Sequence, residues 1–267
     1  MKLSDWARRY LELLGVEAAP PRLEQLERLT AAHIRRVPFE NISSILRRQA
    51  RANGPVQPLD LEDVLLAWCE RRAGGVCFEV AAMVDRLLSE LGYQTHPVLA
   101  QISFPGSHQA NLVELAGHRY LVDVGNGAPF LEPIPLDGLV EVRHAGLAYR
   151  FRPSGNDWFQ DRWISGKWEP FCAYPLAPPD PEARETAYQR HHTLGQSWVV
   201  DALVLTTGSE DEVWSLRDDE LRHFTVDGKT QQTLGESDYA DLAGQLFGLP
   251  GLPIEEARRA LGQRVDR

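Results

Sequence analysis

Apolar positions in the first ninety residues recur at three- and four-residue intervals, the period of helices buried on one face. Over residues 3–14 the apolar positions are Leu3, Trp6, Ala7, Tyr10, Leu11 and Leu14, and Gly15 ends the run. A second helix is predicted over 22–36, with Leu23, Leu26, Leu29 and Ile34 apolar, after the connector Ala18-Ala19-Pro20-Pro21. Pro38 disfavours helix at Val37 and interrupts it. A third helix is predicted from Leu61 to Arg72, capped by Asp60, with Val64, Leu65 and Trp68 apolar. A fourth carries Val80, Val84, Leu87, Leu88 and Leu91 at i, i+4, i+7, i+8 and i+11, and Gly92 stops it.

The texture changes after residue 92. Val98 to Phe104, His108 to Leu115 and Arg119 to Val124 read as strands separated by Gly-containing turns. Further strands are expected at 147–152, 158–164 and 167–174, with Ser165-Gly166 as a hairpin turn. This pattern is an antiparallel meander or small barrel. Pro175 to Pro181 forms a proline-rich break. Residues 182–191 suit a connecting helix, 198–205 and 222–226 strands, and 238–247 a closing helix. The predicted class is α+β in three segments: a helical domain over 1–92, a β-barrel domain over 93–181, and a connecting helix with an α/β lid over 182–267.

Composition excludes several classes. The 267 residues are 43% hydrophobic and 25% charged, as in folded soluble proteins. No apolar run approaches the ~20 residues of a membrane span, and the N-terminal residues lack a signal-peptide core. A net charge of −10 argues against a broad nucleic-acid surface. Cys69, Cys77 and Cys172 are sparse, odd in number and without CxxC spacing. They point away from a disulfide scaffold or a metal site and suit a reducing cytoplasm.

Candidate chemistry centres on Arg72-Ala73-Gly74-Gly75-Val76-Cys77-Phe78-Glu79. Cys77 should sit at the N-terminus of the fourth helix, where free N–H groups and the helix dipole favour a thiolate. The two glycines let another group approach the backbone closely. A nucleophilic cysteine needs a base, and the base an orienting group. With a turn at Ala116-Gly117, Leu115 opposes His118, Val113 opposes Tyr120 and Ala110 opposes Asp123. His108 and Asp123 then share a face as diagonal neighbours. Gly125-Asn126-Gly127 follows as a tight turn whose backbone can come close to a substrate. Cys69 and Cys172 are expected in packing, His191-His192 as a solvated pair, and Trp158, Trp163 and Trp168 in core and cross-strand contacts. Arg143, Arg150 and Arg152 offer local positive charge.

These segments resemble the arylamine N-acetyltransferases. The family's Arg-Gly-Gly-x-Cys-x-Glu-x-Asn motif is similar to Ala73 through Ala81, and its histidine strand to His108-Gln109-Ala110-Asn111-Leu112-Val113. Its Asp-Val-Gly-Phe-Gly segment is similar to Asp123 through Gly127, and its Val-Pro-Phe-Glu-Asn to Val37 through Asn41. Ala73, Ala81 and Asn126 depart from the motif's arginine, asparagine and phenylalanine. The resemblance implies an acyltransferase with Cys77 as acylated nucleophile, His108 as base and Asp123 as its orienter, with no metal and no permanently bound cofactor. It implies substrate contacts at Phe39, Val76, Gly125, Asn126 and Gly127. It also implies acetyl-CoA or another acyl thioester as co-substrate and a small-molecule amine as acceptor. Relatives that close amide bonds in antibiotic biosynthesis, taking the acyl chain from a carrier protein, give an alternative. A papain-like cysteine hydrolase is a further one.

Overall fold

Residues 2–51, 54–235 and 238–265 are described by the computed structural model. Helix α1 (Asp5–Leu14) starts where the Ser4 side chain accepts from the Ala7 N–H, and it ends at Gly15 in the left-handed conformation. Helix α2 (Leu23–Arg36) stops at Val37, one residue before Pro38. Strand β1 (Phe39–Glu40) leads into α3 (Ile42–Ala50), which the apolar spacing did not predict. Its buried face is Ile42, Ile45 and two polar residues, Ser44 and Arg48, too short and too polar for a periodic signal. Helix α4 (Leu61–Arg71) is capped by Asp60, which accepts from the Glu62 and Asp63 N–H groups as expected. Helix α5 (Cys77–Glu90) begins at the cysteine itself. Trp6, Tyr10, Leu26, Trp68, Met83 and Leu87 join α1, α2, α4 and α5 in one core.

The middle of the chain forms two four-stranded antiparallel sheets. The first has the order β2 (Gln94–Ala100), β3 (His108–Leu115), β4 (His118–Val122), β5 (Ile134–Pro135). The second has the order β6 (Val140–His144), β7 (Leu147–Ser154), β8 (Asp157–Ile164), β9 (Lys167–Pro175). A bridge between Gln101 and Ala173 links them, and Val98, Leu112, Phe130, Phe151 and Tyr174 fill the space between. The expected barrel is thus seen as two facing sheets, with no closed ladder among the described residues. Strand β2 lies earlier than expected. The Ser107 hydroxyl accepts from the N–H groups of Ile102, Ser103 and Phe104, which folds that stretch into a turn.

Helix α6 (Pro181–His191) crosses back toward the helices, and Ser197 caps the short α7 (Trp198–Asp201) where a strand was expected. A five-stranded sheet follows, in the order β1, β10 (Val204–Gly208), β11 (Glu212–Arg217), β12 (Glu220–Thr225), β13 (Gly228–Thr233). Helices α8 (Tyr239–Gln245) and α9 (Ile254–Val265) cover it. Strand β1 pairs with β10, and Ile42 and Ile45 pack with Leu205, Leu216, Phe247 and Ala257. Helix α3 and the last third of the chain therefore share one core. No helix among the described residues is long and apolar enough to cross a membrane.

Candidate active site

The Gly-Gly pair works as a backbone contact. A Cβ on Gly74 would lie 1.9 Å from the Pro38 carbonyl oxygen. The Gly75 N–H donates to Pro38 O at 3.4 Å, and the Glu40 N–H to Gly75 O at 3.2 Å. This pins the chain just ahead of α5. Glu79 then folds back, its Oε2 accepting from the Val76 N–H at 2.9 Å while Arg47 donates to its Oε1 at 2.6 Å. Burial opposes the charge on Glu79, but Arg47 and His192 prevail and hold its carboxyl below the usual range. Cys77 becomes the first residue of a 14-residue helix. Gly125 packs directly on it, since a Cβ there would lie 2.6 Å from Cys77 Cα.

The β3–β4 hairpin has the expected register. Ala116 and Gly117 both take positive φ, 51° and 83°, the twist that suits a two-residue hairpin turn. Leu115 pairs with His118, Val113 with Tyr120 and Asn111 with Val122. Asp123 leaves the ladder next and meets His108, whose Nε2–H lies 2.9 Å from each carboxylate oxygen. Asp123 Oδ2 also accepts from the Tyr174 hydroxyl at 2.7 Å and from Asn126 Nδ2 at 3.1 Å. Cys77, His108 and Asp123 are all buried. Burial pushes the His108 pKa down, yet the Asp123 carboxylate, with a smaller contribution from Cys77, raises it to about 10. Burial pushes the Cys77 thiol up, yet His191 and His108 together lower it to about 6. The two shifts, down for the thiol and up for the imidazole, both favour a thiolate beside an imidazolium.

The other residues singled out from the sequence fall around this group. Val76 is wholly buried against Val199 and Val200. Phe39 is half-buried, its ring 6.1 Å from that of Trp198. Gly127 takes φ +76°, in the left-handed region that favours glycine. Asn126 turns its amide inward, and Nδ2 donates to Gln160 Oε1 at 3.0 Å as well as to Asp123. Cys172 is buried, but Cys69 is exposed on α4 and does not pack as expected. Arg150 and Arg152 both bind Asp161, and Arg143 binds Glu141.

His191 and His192 are not solvated; both are buried. His191 Nε2 lies 4.0 Å from Cys77 Sγ and 2.9 Å from the Ser107 carbonyl oxygen. His192 Nδ1 donates to Tyr188 O at 2.9 Å, and its Nε2 lies 3.2 Å from Arg47 and 3.3 Å from Ser44 Oγ. Helix α6 carries few apolar side chains, so its sequence shows no stripe that would mark the buried face. Tyr174 and Gln160 also belong to the site; their strands were legible, their direction toward Asp123 was not.

A family model described as N-acetyltransferase matches residues 22–253. An arylamine N-acetyltransferase of Mycolicibacterium smegmatis is 29% identical over 223 residues, 78% of each chain. Proansamycin X synthase of Amycolatopsis mediterranei is 32% identical over 131 residues, 46% of this chain and 48% of its own. The structure of the arylamine N-acetyltransferase from Mycobacterium abscessus superposes with a TM-score of 0.84 at 22% identity, covering 98% of this chain and 95% of that one. The Mycobacterium marinum enzyme in complex with CoA superposes with a TM-score of 0.82 at 23% identity, covering 97% and 98%. The two superpositions show a common fold of helices and antiparallel sheets.

Proposed function

The chain belongs to the arylamine N-acetyltransferase family and is an acyltransferase of that type, and from that premise we propose that Cys77, His108 and Asp123 carry the transfer. The observation that carries this reading is the buried His108–Asp123 pair beside a thiol at a helix N-terminus. The Cys77 thiolate attacks the carbonyl carbon of an acyl thioester, forming a new C–S bond. The donor's C–S bond breaks, and the His108 proton goes to the leaving sulphur. A neutral amine then attacks the acyl-enzyme. His108 takes a proton from the amine nitrogen, the amide forms, and Cys77 leaves as the thiolate. Asp123 keeps the His108 Nε2–H engaged, so that the other ring nitrogen is the one left to exchange a proton at the sulphur.

Acetyl-CoA as donor and an arylamine as acceptor follow from the family and from what the relatives are named for. We assign acceptor contacts to Phe39 and to the turn Gly125-Asn126-Gly127, a reading supported by the packing of Gly125 on Cys77. Val76 is buried, so its contribution is its main chain. Asn126 acts through its hydrogen bond to Asp123. The segments 1–92 and 93–181 contribute nucleophile and base respectively.

Intact-mass spectrometry after exposure to acetyl-CoA tests this. One acetyl group is expected on Cys77, discharged by an added arylamine, with neither event in Cys77→Ala. Acetyl transfer by Cys77→Ala at more than a trace of the parent rate would remove the assignment. Amide synthesis with a longer acyl chain is a second reading, resting on the match to proansamycin X synthase over less than half of each chain. A panel of acyl-CoAs and acyl-carrier proteins in the same assay decides between the two.

A further inference from the structure

We infer that His191 is a second histidine acting on the Cys77 sulphur, its Nε2–H stabilising the negative charge from the side of α6. This deepens the reading of Cys77 as the nucleophile and rests on it.

The orientation of the ring is fixed by its neighbours. Its centroid lies 5.1 Å from that of Phe78 and 6.4 Å from that of Trp198. Nε2 lies 2.9 Å from Ser107 O. A carbonyl oxygen only accepts, so Nε2 carries a proton whether the ring is neutral or cationic. That same N–H faces Cys77 Sγ at 4.0 Å, a long hydrogen bond to sulphur. Nδ1 is buried and has no partner among the described residues. The polar partners of the ring are therefore one carbonyl and the reactive sulphur. His108 and His191 reach the sulphur from different elements, β3 and α6.

Their roles differ. His108 exchanges its proton with the leaving thiol and the incoming amine. His191 keeps its Nε2 proton, because giving it up would set a ring lone pair against the Ser107 carbonyl. It thus acts as a fixed donor to charge on sulphur, present in the resting thiolate and regenerated when the thiolate leaves the tetrahedral adduct. The titratable and charged groups around the two side chains are His108 of β3, Glu79 of α5, and His192 of α6. Arg47 of α3 is held by Glu79.

The test reads the thiol without any acyl substrate. The rate of Cys77 alkylation by iodoacetamide is followed against pH in the parent, His191→Phe and His191→Gln. The inflection, expected near pH 6 in the parent, should rise by about one unit in His191→Phe, a roughly tenfold loss of thiolate below the inflection. His191→Gln keeps an amide N–H for Ser107 and the sulphur and should recover most of the shift. In His191→Phe kcat/KM for acetyl-CoA falls about tenfold at acidic pH and recovers at alkaline pH, in His191→Gln it stays near the parent's, and folding of both is checked by circular dichroism. A folded His191→Phe with the parent's alkylation profile overturns the inference. In the unmutated protein, blocking Cys77 by methylthiolation should move the His191 Nε2–H proton resonance; an unmoved resonance means that Ser107 alone holds the ring and overturns it equally. Acetyl transfer by Cys77→Ala would instead sink the nucleophile assignment and leave the alkylation result standing.

Discussion

Replacing Asp123 by asparagine exchanges one oxygen for an NH2 group and removes one charge. In the parent, Oδ2 accepts from Tyr174 and Asn126, and both oxygens face the His108 Nε2–H. The two donors at Oδ2 oblige the asparagine to keep its carbonyl oxygen there. Its NH2 then takes the Oδ1 position, as close to His108 Nε2 as the carbonyl oxygen is, and stabilises the ring tautomer in which Nε2 accepts. The ring proton moves to the other nitrogen, the one needed to take a proton from the thiol. His108 also loses the carboxylate that raises its pKa to about 10. A wrong-tautomer loss of this kind costs about 10⁴ in rate in a comparable triad, or about 5.4 kcal/mol of transition-state stabilisation. Folding should lose only about 1–3 kcal/mol, because the shape is kept and a buried charge disappears along with its bond. Steady-state kcat for acetyl-CoA and an arylamine, beside a thermal melt, measures both. The alkylation inflection of Cys77 should also climb toward the ordinary thiol value of about 8.5. A folded Asp123→Asn protein within tenfold of the parent rate would refute the tautomer argument.

Three further outcomes are expected. The parent's kcat/KM for the acyl donor should rise as pH passes about 6, where Cys77 ionises below the ordinary thiol range, and fall toward pH 10, where His108 gives up the proton needed by the leaving sulphur; these are apparent values of the coupled pair, and a rising limb at pH 8–9 would count against a preformed ion pair. Gly125→Ala places a methyl 2.6 Å from Cys77 Cα, so the start of α5 must shift and kcat should fall at least tenfold with about 1–3 kcal/mol of stability lost; an unchanged kcat would mean that the contact is not needed. Tyr174→Phe removes the 2.7 Å bond to Asp123 and should lower kcat by about tenfold or more, the worth of a hydrogen bond to a charged group, with KM for either substrate little changed; a KM effect alone would assign Tyr174 to binding.

The elements that position Cys77 and His108 were legible because each carries its own local signal. The spacing of Val80, Val84, Leu87 and Leu88 defines α5, and Gly74-Gly75 marks where its start is held. The even-length turn at Ala116-Gly117 sets the strand register, which puts His108 and Asp123 together without tertiary information. Helix α3 was missed because half of its buried face is Ser44 and Arg48, polar groups that both reach His192, far along the chain. Strand β13 is exposed along its whole length, so no apolar alternation betrays it. His191 was misread for the same physical reason as α3. A histidine is as polar on a buried face as on a solvated one, and only the approach of Phe78, Ser107 and Cys77 reveals which it is.

The departure from the family motif at Asn126 gains meaning from its neighbours. Its amide offers two N–H donors, and Asp123, Gln160 and Tyr174 supply oxygens at 3.1, 3.0 and 3.1 Å. Flipping the amide would set its oxygen against the Asp123 carboxylate, so the donor orientation is dictated by charge. Gln160 and Tyr174 come from β8 and β9, where Gln160 pairs with Cys172 and Trp158 with Tyr174. Their even spacing along each strand sends both side chains to the same face, toward Asp123. A buried carboxylate is costly unless its lone pairs are occupied. Here the first sheet supplies His108, the second supplies Tyr174, and the Gly-flanked turn between them supplies Asn126. The polarity of position 126 is thus tied to the charge on Asp123 and to the packing of the two sheets.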